Sequence, residues 1–157
     1  MTRPDVLALL REGAERHRRG DLAGAERLYR QVLKRRPDTP DAHNLLGVLA
    51  RQRGDPEGAL RHIARALALA PEAPLFLANR GAALAEAGRL DEAVLSLRAA
   101  LARQPEDAVT LRNLGQALSA LGDPAAAIAP LEAATALQPD APEPWLALAH
   151  ARREAGD

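Results

Sequence analysis

The side chains best able to hold a metal or move a proton are the four histidines, His17, His43, His62 and His150. Their spacing serves neither task. None has a second histidine or a carboxylate at paired zinc-ligand spacing with a third ligand in view. Solvated or partly packed rings are the expectation. The acidic pairs Asp91-Glu92 and Glu106-Asp107 stand at helix starts and ends, and near an N-terminus such charges serve the helix dipole. Cysteine is absent, which removes disulfides, thiolate metal sites and cysteine nucleophiles together. No Gly-rich phosphate loop, nucleophile elbow or HExxH occurs. The chain is therefore expected to be non-catalytic, with no cofactor and no metal. Recognition is the chemistry left to it. Asn79 and Asn113 each offer a donor and an acceptor, the pair of groups that an extended peptide backbone needs.

The interval between those asparagines recurs throughout the chain. Pro37, Pro71, Pro105 and Pro139 are spaced by 34 residues, and Gly20, Gly54, Gly88, Gly122 and Gly156 keep the same step. Gly13, Gly47, Gly81 and Gly115 form a further column, and Ala25, Ala59, Ala93 and Ala127 another. A 34-residue unit of two helices cannot bury its apolar face alone, so neighbours must stack. Pro74 is placed to open a helix, Gly88 to end it, and Pro105 to close a second helix running from about Leu90 to Arg103. Short connections make the two antiparallel. The small residues Gly81, Ala93 and Ala100 let the helices approach, with Leu84 and Leu97 filling the space between.

Composition narrows the role. Among 157 residues, 21 basic and 21 acidic side chains give a net charge of zero, so no global field selects nucleic acid or an anionic membrane. All basic residues except Lys34 are arginine, which with the abundant alanine points to a high-GC, bacterial genome. No apolar run approaches the ~18 residues of a membrane span. The run Val6–Leu10 is too short for the apolar core of a secretory signal. A cytoplasmic location is expected.

These columns resemble the tetratricopeptide repeat family over nearly the whole chain. Tyr29, Ile63, Leu97 and Leu131 hold the family's aromatic-or-aliphatic position, and Trp145 holds its tryptophan position in the last unit. The resemblance implies an all-α fold, an α-solenoid (right-handed superhelix) of stacked antiparallel helix pairs, in a single domain over 1–157. Repeats fall at about 6–39, 40–73, 74–107 and 108–141, with 142–157 a partial fifth repeat or capping helix. It also implies a concave groove lined by the first helix of each repeat, which grips a peptide or partner protein. Helical spacing assigns to that inner stripe Asn79, Ala82 and Glu86, then Asn113, Gln116 and Ala120, then Ala147, His150 and Glu154, flanked by Asn44, Ala78, Arg112 and Leu146. The expected partner-binding set is Asn44, Asn79, Glu86, Arg112, Asn113, Gln116 and His150. Successive asparagines resemble the backbone-gripping ladder of O-linked N-acetylglucosamine transferases. The two-carboxylate clamp of chaperone-binding members is incomplete, because Asn79 and Ala14 stand where its basic residue and asparagine belong.

Three departures carry expectations of their own. Arg80 and Glu12 replace the leucine found at Leu46, Leu114 and Leu148, so those faces are expected to be partly solvated. Pro130 falls inside a helix and is expected to kink it. The last unit stops at Gly156-Asp157, the dipeptide that joins first to second helix in three earlier repeats. A fragment of a longer array is the favoured reading and a polar cap the other. That open repeat motivates two alternatives to a free adaptor. One is the substrate-recruiting N-terminal region of a larger glycosyltransferase or sulfotransferase. The other is self-association through the apolar face around Trp145.

Overall fold

The computed structural model describes residues 5–156. The readings that touch Met1–Pro4 and Asp157 lie outside those residues. Among the described residues there are nine α-helices and no strand. Contacts between Cα atoms divide the chain into two compact units, Met1–Pro71 and Glu72–Asp157, so the boundary falls between the second and third repeats. The first unit contains α1 (Val6–Arg18), α2 (Leu22–Arg35), α3 (Pro40–Gln52) and α4 (Pro56–Leu69). The second contains α5 (Pro74–Glu86), α6 (Leu90–Leu101), α7 (Ala108–Ala120), α8 (Pro124–Leu137) and α9 (Pro142–Ala155).

The Gly-Asp joints explain the short connections. Gly88 takes φ of 76°, a left-handed conformation that costs glycine little. Its N–H donates to the Ala85 carbonyl at 3.0 Å, and the Arg89 N–H to Leu84 at 2.9 Å. That pair of bonds satisfies carbonyls left over at the end of α5. Where aspartate follows the glycine, it also caps the next helix. Asp21, Asp55 and Asp123 accept from the N–H groups of Gly24, Gly58 and Ala126 at 2.8, 2.7 and 3.0 Å. Arg89 cannot accept, and α6 has no side-chain cap. α6 also ends earlier than expected, at Leu101, because its last turn tightens: the N–H groups of both Arg103 and Gln104 reach the Ala100 carbonyl.

Each helix pair is closed by one contact of the same kind. Tyr29, Ile63, Leu97 and Leu131 are fully buried, as are Ala25, Ala59, Ala93 and Ala127 beside them. Each large side chain lies on the glycine sixteen residues before it. A Cβ built on Gly81 would stand 2.5 Å from Cγ of Leu97, and one on Gly47 would stand 2.6 Å from Cγ1 of Ile63. Gly13 against Tyr29 and Gly115 against Leu131 repeat the arrangement. The small columns are therefore seats for the large one. Within the second unit Leu97, Leu114, Leu118, Leu131 and Leu148 continue into one core.

The departures resolve differently. Glu12 is exposed and paired with Arg16 at 2.9 Å, as a solvated face requires. Arg80 is half-buried instead, with its Nε donating to the Ser96 hydroxyl at 2.9 Å. Ser96, itself fully buried, donates onward to the Leu77 carbonyl at 2.8 Å. α8 runs through Pro130 as one helical element to Leu137. In the tryptophan column, Trp145 Nε1 donates to the Pro139 carbonyl at 2.9 Å, and His43 Nε2 makes the equivalent bond to Pro37 at 2.9 Å. A carbonyl only accepts, so His43 carries its proton on Nε2.

Two consequences can be measured. Gly81→Ala places a methyl against Leu97 and the Ala93 carbonyl, an overpacking cost of about 1–3 kcal/mol. Better helix propensity returns about 0.5–1 kcal/mol. Chemical denaturation should therefore show a net loss of about 1 kcal/mol; a gain would mean that the Leu97 seat does not require glycine. The second concerns His62, whose pKa is held below the ordinary 6.5 by burial first, then by His43, Arg30 and Arg61, with Glu26 opposing. The neutral ring is the form the fold accepts. Its contribution is complete above pH 6.5 and is lost as the pH falls toward the depressed folded-state value. His62→Leu, which installs the residue found at the equivalent Leu28, should flatten stability between about pH 7 and about pH 5 relative to wild type. An unchanged slope in denaturation midpoints would clear His62 of that role.

Candidate functional site

The second unit contains a cleft of about 540 Å³ between first helices of adjacent repeats. α7 contributes Arg112, Gln116, Ser119 and Ala120, and α9 contributes Glu143, Leu146, Ala147, His150 and Glu154. The two helices lie side by side because α8 returns the chain, with Leu131 of α8 reaching the floor. Helical spacing sets the rows. Arg112, Gln116 and Ser119 lie three and four residues apart, as do Glu143, Leu146, Ala147 and His150.

The chemistry of the cleft is mixed. Arg112 supplies a cation whose Nε is buried without a hydrogen-bond partner among the described residues. Across from it, His150 Nδ1 and Glu154 Oε2 lie 3.2 Å apart, and Glu143 adds a second carboxylate on the same helix. Ala120, Ala147 and Leu146 add apolar lining, the last 74 % exposed. Trp145 beside it is 50 % exposed. Apolar lining together with a guanidinium and carboxylates can hold a side chain and pair charges beside it. Among the described residues no group of three histidine, cysteine or acidic side chains could hold a metal ion, and no helix is long and apolar enough to cross a membrane.

The expected site residues separate into three groups. Arg112, Gln116 and His150 come together in the cleft. Asn79 and Asn113 are half-buried on α5 and α7 and Glu86 is exposed on α5; all three lie outside its lining. Asn44 requires a correction. It is buried to 3 % exposure in α3, so its side chain is enclosed by the protein and is not offered to a bound polypeptide. The flanking column it belongs to points into the stack: in the second unit Ala78 is 9 % exposed and Arg112 half-buried, and only at Leu146 does the column reach solvent. Ser119 and Glu143 were absent from the expected set. Both lie at helical spacing from members of it, three residues beyond Gln116 and seven before His150.

A further signal was present in the sequence and hidden by its total. Up to Pro71 the chain carries 14 basic and 9 acidic residues; from Glu72 on it carries 7 and 12. Zero net charge is thus +5 in one unit and −5 in the other. In the first unit a second cleft, of about 270 Å³, holds part of that charge, with Arg30, Arg53, Arg61 and His62 around Glu26. Glu26 binds Arg53 at 2.6 Å and Arg30 at 2.7 Å. The Arg53 contact, followed by Arg30, lowers the Glu26 pKa against the opposing effect of burial.

Comparison with known proteins agrees with this architecture. Two family models described as tetratricopeptide repeat match the chain, one over residues 10–74 and 49–108 and the other over 84–151. No curated protein matches it in sequence. Among solved structures it is similar to PilF of Pseudomonas aeruginosa, with a TM-score of 0.86 and 27% identity over 96% of this chain and 68% of that one. A thermophilic tetratricopeptide repeat protein of Thermus thermophilus gives a TM-score of 0.83 at 25% identity, covering 97% of this chain and 84% of the other. The O-GlcNAc transferase of Thermobaculum terrenum gives 0.79 at 33% identity, over 86% of this chain but only 27% of that protein. With the 34-residue columns, the glycine seats and the paired helices already in place, the chain belongs to the tetratricopeptide repeat family.

Proposed function

We propose that this chain is a non-catalytic protein–protein interaction scaffold that binds a peptide or a segment of a partner protein. The observation that carries the reading is the cleft between α7 and α9, where Arg112, Gln116 and His150 surround an apolar strip that includes Leu146. It suits an extended segment with an apolar side chain for the strip and a carboxylate for Arg112. Asn79 and Asn113 act on the backbone of the same segment beside the cleft, through amides that can donate and accept. Similarity to PilF and to the Thermus repeat protein supports a scaffold fold without naming the partner.

A second reading keeps the binding role but places it within a larger enzyme. It is favoured by the 33% identity to an O-GlcNAc transferase, of whose chain this sequence matches 27%. There the segment bound would be the substrate polypeptide, and catalysis would reside elsewhere.

Peptides selected from a random display library on the purified protein supply the test. Arg112→Ala, and separately the double change Asn79→Ala with Asn113→Ala, should weaken their binding about 5- to 100-fold, the equivalent of ~1–3 kcal/mol of lost polar contacts. Helicity by circular dichroism should stay unchanged. Full affinity in both variants would remove these residues from the site.

A further inference from the structure

The segregation of charge has a surface counterpart in each unit. On α2, Arg27, Arg30 and Lys34 recur at three- and four-residue steps, so they form one outward stripe, and with Gln31 they line an open depression of about 500 Å³. Arg61 and Arg65 add two exposed cations on α4. The dipole at the end of α2 accounts for Lys34 and Arg35. Arg30 pairs with Glu26 at 2.7 Å and Arg61 lies 3.9 Å from Asp55, while Arg27 and Arg65 lie inside their helices, where the dipole has no claim on them.

In the second unit the acids collect along one edge. α7 contacts α5 on one side and α9 on the other, so the N-terminal ends of adjacent first helices are neighbours. The turns that lead into them carry exposed Glu72, Glu106 and Asp140. Arg103, bonded to Glu72 at 2.9 Å, is a cation on this edge. Asp107 also lies here, but it caps α7 through the Val109 N–H and its charge serves that turn.

We propose that the occupant of the basic α2 stripe is a second copy of this chain, which presents its acidic turn edge. Charge complementarity selects that occupant, since the excess of five in residues up to Pro71 meets an equal and opposite excess in residues from Glu72 on. The two surfaces differ, so each contact pairs the basic surface of one copy with the acidic surface of another, and every copy offers one surface of each sign. The contact is electrostatic, and salt must screen it. This contact uses neither the α7–α9 cleft nor the apolar face around Trp145, and it stands independently of the peptide-binding reading.

Sedimentation of the full chain provides the test. At about 0.02 M salt the average mass should rise with concentration to that of a dimer or beyond, and at about 0.5 M it should return to the monomer. Arg27→Glu with Lys34→Glu removes the basic surface, and Glu106→Lys with Asp140→Lys removes the acidic one. All four positions are exposed, and each double variant alone should stay monomeric at low salt. Their equimolar mixture retains one surface of each sign and should stop at a one-to-one dimer. A wild-type chain that is monomeric at low salt overturns the proposal, including the case in which it binds a poly-glutamate peptide or an oligonucleotide instead. So does association that survives high salt and is abolished by Trp145→Ser with Leu146→Ser, which would assign it to the apolar face of α9.

Discussion

The fold depends on one steric constraint repeated along the chain: a large side chain on the second helix of each pair occupies the space that a Cβ on the first would need. Tyr29, Ile63, Leu97 and Leu131 reach full burial because Gly13, Gly47, Gly81 and Gly115 have nothing there. Close packing brings the backbones of the pair near enough for alanine columns to complete the contact, and protein interiors tolerate few voids or overlaps. Everything functional follows from that spacing. First helices held at a fixed setting by their partners become neighbours of one another, and a surface built from side chains at helical intervals appears between α7 and α9.

How far this could be read from the sequence depended on whether a residue acts through the period or through its surroundings. Periodic residues were legible. The left-handed turn at Gly88, the proline-started helices and the burial of Leu97 all follow from position within the unit. Asn44 was misplaced because helical spacing identifies a face without saying whether a neighbour covers it, and its column points into the stack. Arg80 was expected on a partly solvated face and is half-buried, but its bond to Ser96 was not foreseen, because serine holds that position in this repeat alone. The division of charge was missed for a different reason: a total cancels whatever is segregated.

Departures from the repeat pattern are where this chain differs from any regular array. Arg80 with Ser96 places a polar pair inside a helix pair, and in the first unit Glu26 with Arg53 and Arg30 ties α2 to the end of α3. In the second unit the residues 68 positions after Glu26 and Arg53 are Val94 and Leu121, so a polar contact in one unit corresponds to apolar positions in the other. Such pairs contribute little net stability where solvent reaches them. Their effect is to give two units of common design unlike surfaces, one basic and one acidic with an open apolar strip at Leu146. Recognition by a repeat scaffold rests on differences of this kind, because the shared columns are consumed in holding the stack together.

The central claim is that the α7–α9 surface is where a polypeptide segment is held. Amide hydrogen exchange on the full chain, with and without a library-selected peptide, addresses it directly. The account predicts slowed exchange along α7 and α9, with α2 and α4 unchanged. Slowing confined to α2 and α4, with α7 and α9 exchanging as in the free protein, would contradict it.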